Sequence, residues 1–152
     1  MSSQFHISVH SPAPSEAVAV VDAGLDEYNI DSAPLGDVQS LHAIAKDSNG
    51  TVVGGAIGRT WGECCELQQL WVSAEWRTSG IGTRLMEAFE QNAHSRGCRL
   101  IYLETFSFQA PNFYQSRGYE QVLFTAGFTG GVIKFTLHTR LDGSGAETAL
   151  AR

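Results

Sequence analysis

Glu75-Trp-Arg-Thr-Ser-Gly-Ile-Gly-Thr-Arg-Leu85 sets two glycines one residue apart, directly after an apolar run and directly before a helical pattern. Upstream, Cys64 to Ser73 (CCELQQLWVS) reads as a strand whose heavy apolar side chains break the period of two. Leu67 is followed by Leu70 and then Val72, and an odd step of three is what one extra residue produces, so a β-bulge is expected near Gln69. Downstream, Ile81, Leu85, Ala88, Phe89 and Ala93 share one helical face, with Arg84, Glu87, Gln91 and His94 elsewhere. Gly97 stands where a C′ glycine ends such a helix, and Arg99 to Phe106 reads as a buried strand. Strand, glycine loop, helix and strand together predict a right-handed βαβ crossover between parallel strands.

The rest of the chain extends this unit on both sides. Phe5 to Val9 alternates apolar and polar residues and predicts a strand, which Ser11-Pro-Ala-Pro-Ser15 breaks. A helix is expected from about Ser15 as N-cap, with Val18, Val21, Leu25 and Tyr28 at helical spacing. Residues 29–40 read as a loop or short irregular helix. Leu41–Lys46 and Thr51–Ile57 flank Asn49-Gly50, a type I′ hairpin signal. Pro111 opens a short helix that Gly118 closes, and Tyr119–Phe124 and Val132–Thr139 predict two last antiparallel strands. The expected fold is α/β, a central mixed sheet of about seven strands with flanking helices. The domain reading is a single domain over residues 1–141, followed by a frayed tail over 142–152.

Composition narrows the class. The chain has 152 residues, 43% hydrophobic and 17% charged, as in one soluble globular domain. No run approaches the roughly eighteen apolar residues of a membrane helix, and the N-terminus lacks the pattern of a secretory signal. Three cysteines (Cys64, Cys65, Cys98) without metal-ligand spacing are expected to be small buried hydrophobes in a reducing compartment, the cytoplasm. No metal site is expected. The net charge of −6 argues against a nucleic-acid binder. Residues 1–66 carry a net −7 and residues 67–152 a net +1. That asymmetry fits either two partners of different charge or a merely solvated acidic surface.

A helix beginning near Ile81 leaves its first N–H groups unpaired and positive, Gly80 and Gly82 carry no Cβ to block an anion, and Arg77 adds a forked charge. A phosphorylated ligand is therefore expected at the loop. A P-loop would need a lysine after the glycines, but Thr83 and Arg84 follow Gly82. A dinucleotide fingerprint would need a third glycine where Leu85 stands, although Glu104 lies about where a ribose-binding acid belongs. A plain tight turn is the remaining alternative.

Arg77-Thr-Ser-Gly80-Ile-Gly82 matches the R/Q-x-x-G-x-G/A signature of the GNAT superfamily of N-acetyltransferases. Ala110-Pro-Asn-Phe-Tyr114-Gln-Ser-Arg-Gly118-Tyr119 resembles that family's A-x-x-x-Y-x-x-x-G-F/Y segment on the next helix. The resemblance covers about residues 41–124. It implies acetyl-CoA between two splayed parallel strands, with pyrophosphate on the backbone of Arg77, Thr78, Ser79, Gly80, Ile81, Gly82 and Thr83. Pantetheine would lie along Trp71 and Val72, and the bulge would turn an N–H toward the thioester oxygen. It also implies direct transfer of an acetyl group to a primary amine, with Tyr114 as the acid for the departing thiolate and Glu66 as the general base. Glu63 and Glu104, with His42, His94 and His138, are rival proton acceptors. Many relatives carry an asparagine seven residues before the tyrosine; here that position is Ser107, and Asn112 is a nearby substitute for cofactor contact. The acidic Asp22, Asp26, Glu27, Asp31 and Asp37 fall where such proteins receive the acceptor and favour a small cationic amine. A protein amine, a non-catalytic acyl-CoA sensor and a nicotinamide-type dinucleotide protein are the alternatives. Edges of the last two strands would serve a homodimer.

Overall fold

The computed structural model describes residues Phe5 to Asp142. The chain divides into two compact units, Met1–Gly36 and Asp37–Arg152. The described residues of the first unit include the helix α1 (Ser15–Ser32), entered from an extended Pro14. Ser15 is thus the first helical residue and not the cap, because proline's fixed φ suits the entry to a helix. The expected Phe5–Val9 strand does not form: those residues are irregular. Three alternating apolar residues ended by Ser11-Pro12 are too short a pattern to specify a strand without a partner edge.

The second unit is built on a six-stranded mixed sheet: β1 (Gln39–Lys46), β2 (Val52–Trp61), β3 (Cys64–Val72), β4 (Leu100–Phe106), β5 (Glu120–Thr125) and β6 (Lys134–Arg140). Their order across the sheet is β1-β2-β3-β4-β6-β5. All neighbours are antiparallel except β3 and β4, which are joined by α2 (Ile81–Ser95) as a parallel crossover. The hairpin between β1 and β2 turns at Gly50 (φ 83°), and Asp47 Oδ1 accepts the N–H groups of Asn49 and Thr51 at 2.8 and 2.9 Å. A short helix, α3 (Pro111–Ser116), connects β4 to β5 with Pro111 in its first turn. The last strand inserts between β4 and β5, so only β5 of that pair offers an edge.

Helix α2 buries Leu85, Met86, Phe89 and Ala93 against the sheet. Ala56, Cys65, Leu67, Ile101, Leu103 and Leu137 meet them from the strands, and Tyr114 and Tyr119 complete the core. Alternation along β4 leaves Tyr102, Glu104 and Phe106 on the opposite face. The helix ends as expected at Gly97 (φ 89°), where Cys98 N–H donates to Ala93 O at 3.0 Å. Cys65 and Cys98 are buried free thiols, but Cys64 is exposed, because it stands one residue out of phase with Cys65 on the strand.

Candidate functional site

The bulge expected near Gln69 is present. Ile57 of β2 faces Gln69, whereas the next residue, Gly58, faces Leu67, so Gln68 is the extra residue on β3. Glycine is required opposite it: a Cβ at position 58 would lie 2.0 Å from Glu66 O and 2.7 Å from Phe89 Cζ. Pairing between β3 and β4 runs from Cys64↔Leu100 to Leu67↔Leu103 and stops there. The bulge therefore sits where the parallel strands part. Beyond it, the β4-facing edge of residues 68–72 has no strand partner, and a cleft of about 1020 Å³ opens.

At one end of this cleft lies the N-terminus of α2. The first hydrogen bond there is Arg84 N–H to Gly80 O at 3.1 Å, so the N–H groups of Ile81, Gly82 and Thr83 have no partner within the helix. Gly80 precedes it in the left-handed region (φ 84°), and Thr78 is also left-handed (φ 66°), an uncommon state for a β-branched residue. Arg77 Nε donates to Val72 O at 3.2 Å and holds the loop against the end of β3, while Ser79 Oγ donates to Trp76 O within the loop itself. Trp71, Val72, Arg77, Thr78, Gly80, Gly82 and Thr83 all line the cleft. Ser79 and Ile81 do not; Ile81 packs on the core instead. Asn112 is exposed on α3 and does not line it either. Such a cleft can hold an extended chain against an open strand edge, with an anionic end on backbone N–H groups and a guanidinium.

Tyr114 lines the same cleft from α3. Its ring stands edge-on to Phe113 (5.3 Å between centroids) and to Tyr119 (5.8 Å). Burial pushes its phenol up to about 12. A small network holds this region to α2. Glu90 accepts from Arg117 Nη2 at 2.9 Å and from Tyr119 Oη at 3.1 Å, and Arg117 lies over the Phe113 ring. Sequence reasoning missed Glu90, whose partners are 27 and 29 residues away.

Glu66 lies on β3 two residues before the bulged Gln68, on the face opposite Cys65 and Leu67, and does not line the cleft. Its Oε2 accepts from Arg59 Nε at 2.7 Å, and it sits in register with Tyr102 of β4. Of its rivals, Glu63 is exposed beside Arg99 (3.7 Å), and Glu104 lines the cleft and pairs with Lys134 (3.2 Å). His42 and His94 are exposed, and His138 is half-buried in register with Tyr102. Trp76, Phe108 and Gln109 also line the cleft, and sequence reasoning missed them because irregular loops carry no periodic signal. Among the described residues no group of three or more acidic, histidine or cysteine side chains could hold a metal, and no helix is long and apolar enough to cross a membrane.

Residues 10–119 match the model of the acetyltransferase (GNAT) family. The chain belongs to that family. It is 34% identical to blasticidin-S acetyltransferase of Streptomyces morookaense over 109 residues, which span 71% of this chain and 78% of that protein. The crystal structure of an acetyltransferase from Bacillus cereus superimposes with a TM-score of 0.75 at 26% identity, covering 90% of this chain and 97% of the other. The fold is shared with a proposed streptothricin acetyltransferase of Bacillus anthracis in complex with acetyl coenzyme A. That match has a TM-score of 0.59 at 21% identity and covers 66% of this chain and 62% of that one.

Proposed function

We propose that this GNAT-family chain is a cytoplasmic enzyme that moves the acetyl group of acetyl-CoA to a primary amine on a small cationic molecule, by direct transfer in a ternary complex. The observation that carries the reading is the parting of β3 and β4 after Leu67 and Leu103, beside the exposed N-terminus of α2. The open edge around Trp71 and Val72 suits the amides of pantetheine. The N–H groups of Ile81, Gly82 and Thr83, with Arg77, suit a pyrophosphate. Asn112, being exposed outside the cleft, is assigned no cofactor contact.

In this reading the amine nitrogen attacks the thioester carbonyl, the C–S bond breaks, and coenzyme A leaves as a thiolate. Glu66 takes the proton of the ammonium through water, using the oxygen that Arg59 leaves free. Tyr114 donates a hydrogen bond to the leaving sulfur, and the second proton, left on nitrogen when the N–C bond forms, passes to the thiolate, giving a neutral amide and free coenzyme A thiol. The net charge of −6, concentrated in residues 1–66, favours a cationic acceptor, and the likeness to an enzyme named for a small antibiotic favours a small molecule over a protein. The β5 edge is the surface for a homodimer, which light scattering would reveal as twice the monomer mass.

The test mixes the protein with acetyl-CoA and a panel of primary amines and follows free thiol. Release that depends on a small amine supports the reading. Tight acetyl-CoA binding with silence across a broad panel would turn it toward a non-catalytic acyl-CoA sensor.

A further inference from the structure

Phe108, which lines the cleft, belongs to a cluster of three phenylalanines outside the buried core. Phe106, the last residue of β4, stacks on Phe108 with ring centroids 5.4 Å apart and planes 8° from parallel. Phe128, from the loop between β5 and β6, meets Phe106 edge-on at 5.8 Å and 85°. Phe108 is 70% exposed and Phe128 41%. Phe108 in particular keeps most of its ring open to solvent while one face is stacked on Phe106, so a flat apolar surface is left uncovered.

The cluster is nevertheless held firmly. Ser107 N–H donates to Ile133 O at 2.8 Å, and Ile133 N–H donates back to Ser107 Oγ at 3.1 Å, which ties together the two loops that carry Phe108 and Phe128. Gln109 Oε1 accepts from Phe106 N–H at 2.8 Å and from Thr105 Oγ1 at 3.1 Å, fixing the turn in between. Glu104 stands two residues before Phe106 on the same face of β4, and both it and Phe108 line the cleft. Lys134 takes Glu104 Oε2 at 3.2 Å, and the carboxylate side chain stays 57% exposed. Another part of the cleft is lined by Gly80, Gly82 and Thr83 at the N-terminus of α2, a helix that packs on the other face of the sheet.

We infer that Phe106, Phe108 and Phe128 form an acceptor platform, and that the amine this protein selects carries a planar aromatic or heteroaromatic ring. The ring lies on the free face of Phe108, and the ammonium is drawn to the carboxylate of Glu104. Ser107 is a positioning residue that holds the two loops in register. The inference rests on the acetyl-transfer reading for the name of its ligand, but its test does not need turnover.

The experiment measures equilibrium binding to protein saturated with coenzyme A, by calorimetry, using 2-phenylethylamine and n-hexylamine. The aryl amine should bind about ten-fold more tightly, the strength of one aromatic stacking contact. Phe108→Ala should bring the ratio of the two affinities close to one. Phe108→Leu, which keeps bulk without a ring, should do nearly the same, and Ser107→Ala should lower the ratio with the Phe108 ring intact. Equal affinities for the two amines in the unaltered protein would overturn the platform. So would a Phe108→Ala variant that loses affinity for coenzyme A and keeps its aryl preference, because the ring would then serve the cofactor. Aryl-selective binding without any thiol release would count against catalysis alone.

Discussion

Leu67 of β3 faces Leu103 of β4, and this is the last pair the two parallel strands make. One residue later Gln68 bulges out against β2, so the strand that has just lost one neighbour also changes phase against the other. The two events share a cause. The extra residue rotates β3 and increases its twist, which carries its end away from β4 and leaves backbone groups facing a cleft instead of a ladder. The site is thus a consequence of one inserted residue, with Gly58 as the space that admits it.

Gly58→Ala tests that dependence. Its Cβ would fall 2.0 Å from a backbone oxygen, which cannot swing aside as a flexible side chain can. The variant should lose about 3 kcal/mol or more, seen as a melting temperature lower by roughly 6–12 °C. It should also lose acetyl-CoA binding in the fraction that stays folded. A folded variant of unchanged melting temperature and affinity would show that the bulge does not need this glycine.

Tyr114→Phe separates chemistry from packing. The substitution removes one hydroxyl from a buried aromatic cluster and leaves its ring contacts in place. Turnover should fall about 10- to 100-fold with the KM for acetyl-CoA within about two-fold. A phenol held at about 12 gives up its proton to a thiolate, whose own value is about 8.5, only uphill. A hydrogen bond that strengthens as charge develops on sulfur, with full transfer later, is the better description. The rate should accordingly show no alkaline loss near pH 10, where an ordinary phenol would ionise. A falling limb there would place the phenol in water.

Much of this was legible in the residues, and the reasons differ. The step from Leu67 to Leu70 announced the bulge, because a strand has no other way to move its apolar side by three. The α2 stripe announced the helix, and Gly97 its end. What lay hidden depended on contacts remote in the chain. Nothing local says that β6 inserts between β4 and β5, since both strands carry similar short apolar patterns. Arg59 and Glu66 meet only because β2 and β3 form a hairpin in this register. Phe5–Val9 had the alternation of a strand without the length to enforce it. Phe108 and Phe128 sit on irregular loops, where no period can mark an exposed ring as unusual.

Alkaline pH should weaken the fold in a defined window. Burial raises Cys65 from its ordinary value near 9 to about 12, and Tyr114 from near 10 to about 12; Tyr119 is raised as well, by burial and by the Glu90 carboxylate beside it. Each group keeps its proton in the folded state at pH values where the unfolded chain has lost it. The unfolded state therefore binds fewer protons, and stability falls as pH rises. The contribution is complete below about pH 9 and drains away between about pH 9 and 12. Urea midpoints measured from pH 7 to 11 should be level at first and then decline. A Cys65→Ala variant should decline less steeply above pH 9, where the buried Cys98 thiol, also raised by burial, still contributes; an unchanged slope there would show that Cys65 plays no part.

Thr78→Gly asks whether strain in the loop before α2 serves the proposed cofactor binding. Thr78 holds φ 66°, a region in which a β-branched side chain costs on the order of 1–2 kcal/mol. Glycine removes that cost but adds freedom to the unfolded chain, worth about 0.5–1 kcal/mol in the other direction. The net effect should be a melting temperature equal to the parent or up to about 6 °C higher. The same freedom loosens the loop that presents Gly80, Gly82 and Thr83, so affinity for acetyl-CoA should fall several-fold while stability does not. That pairing, steadier fold and weaker binding, is the signature of a loop strained into its binding shape. If stability and affinity rise together, the left-handed threonine is a flaw of the loop and contributes nothing to the cradle.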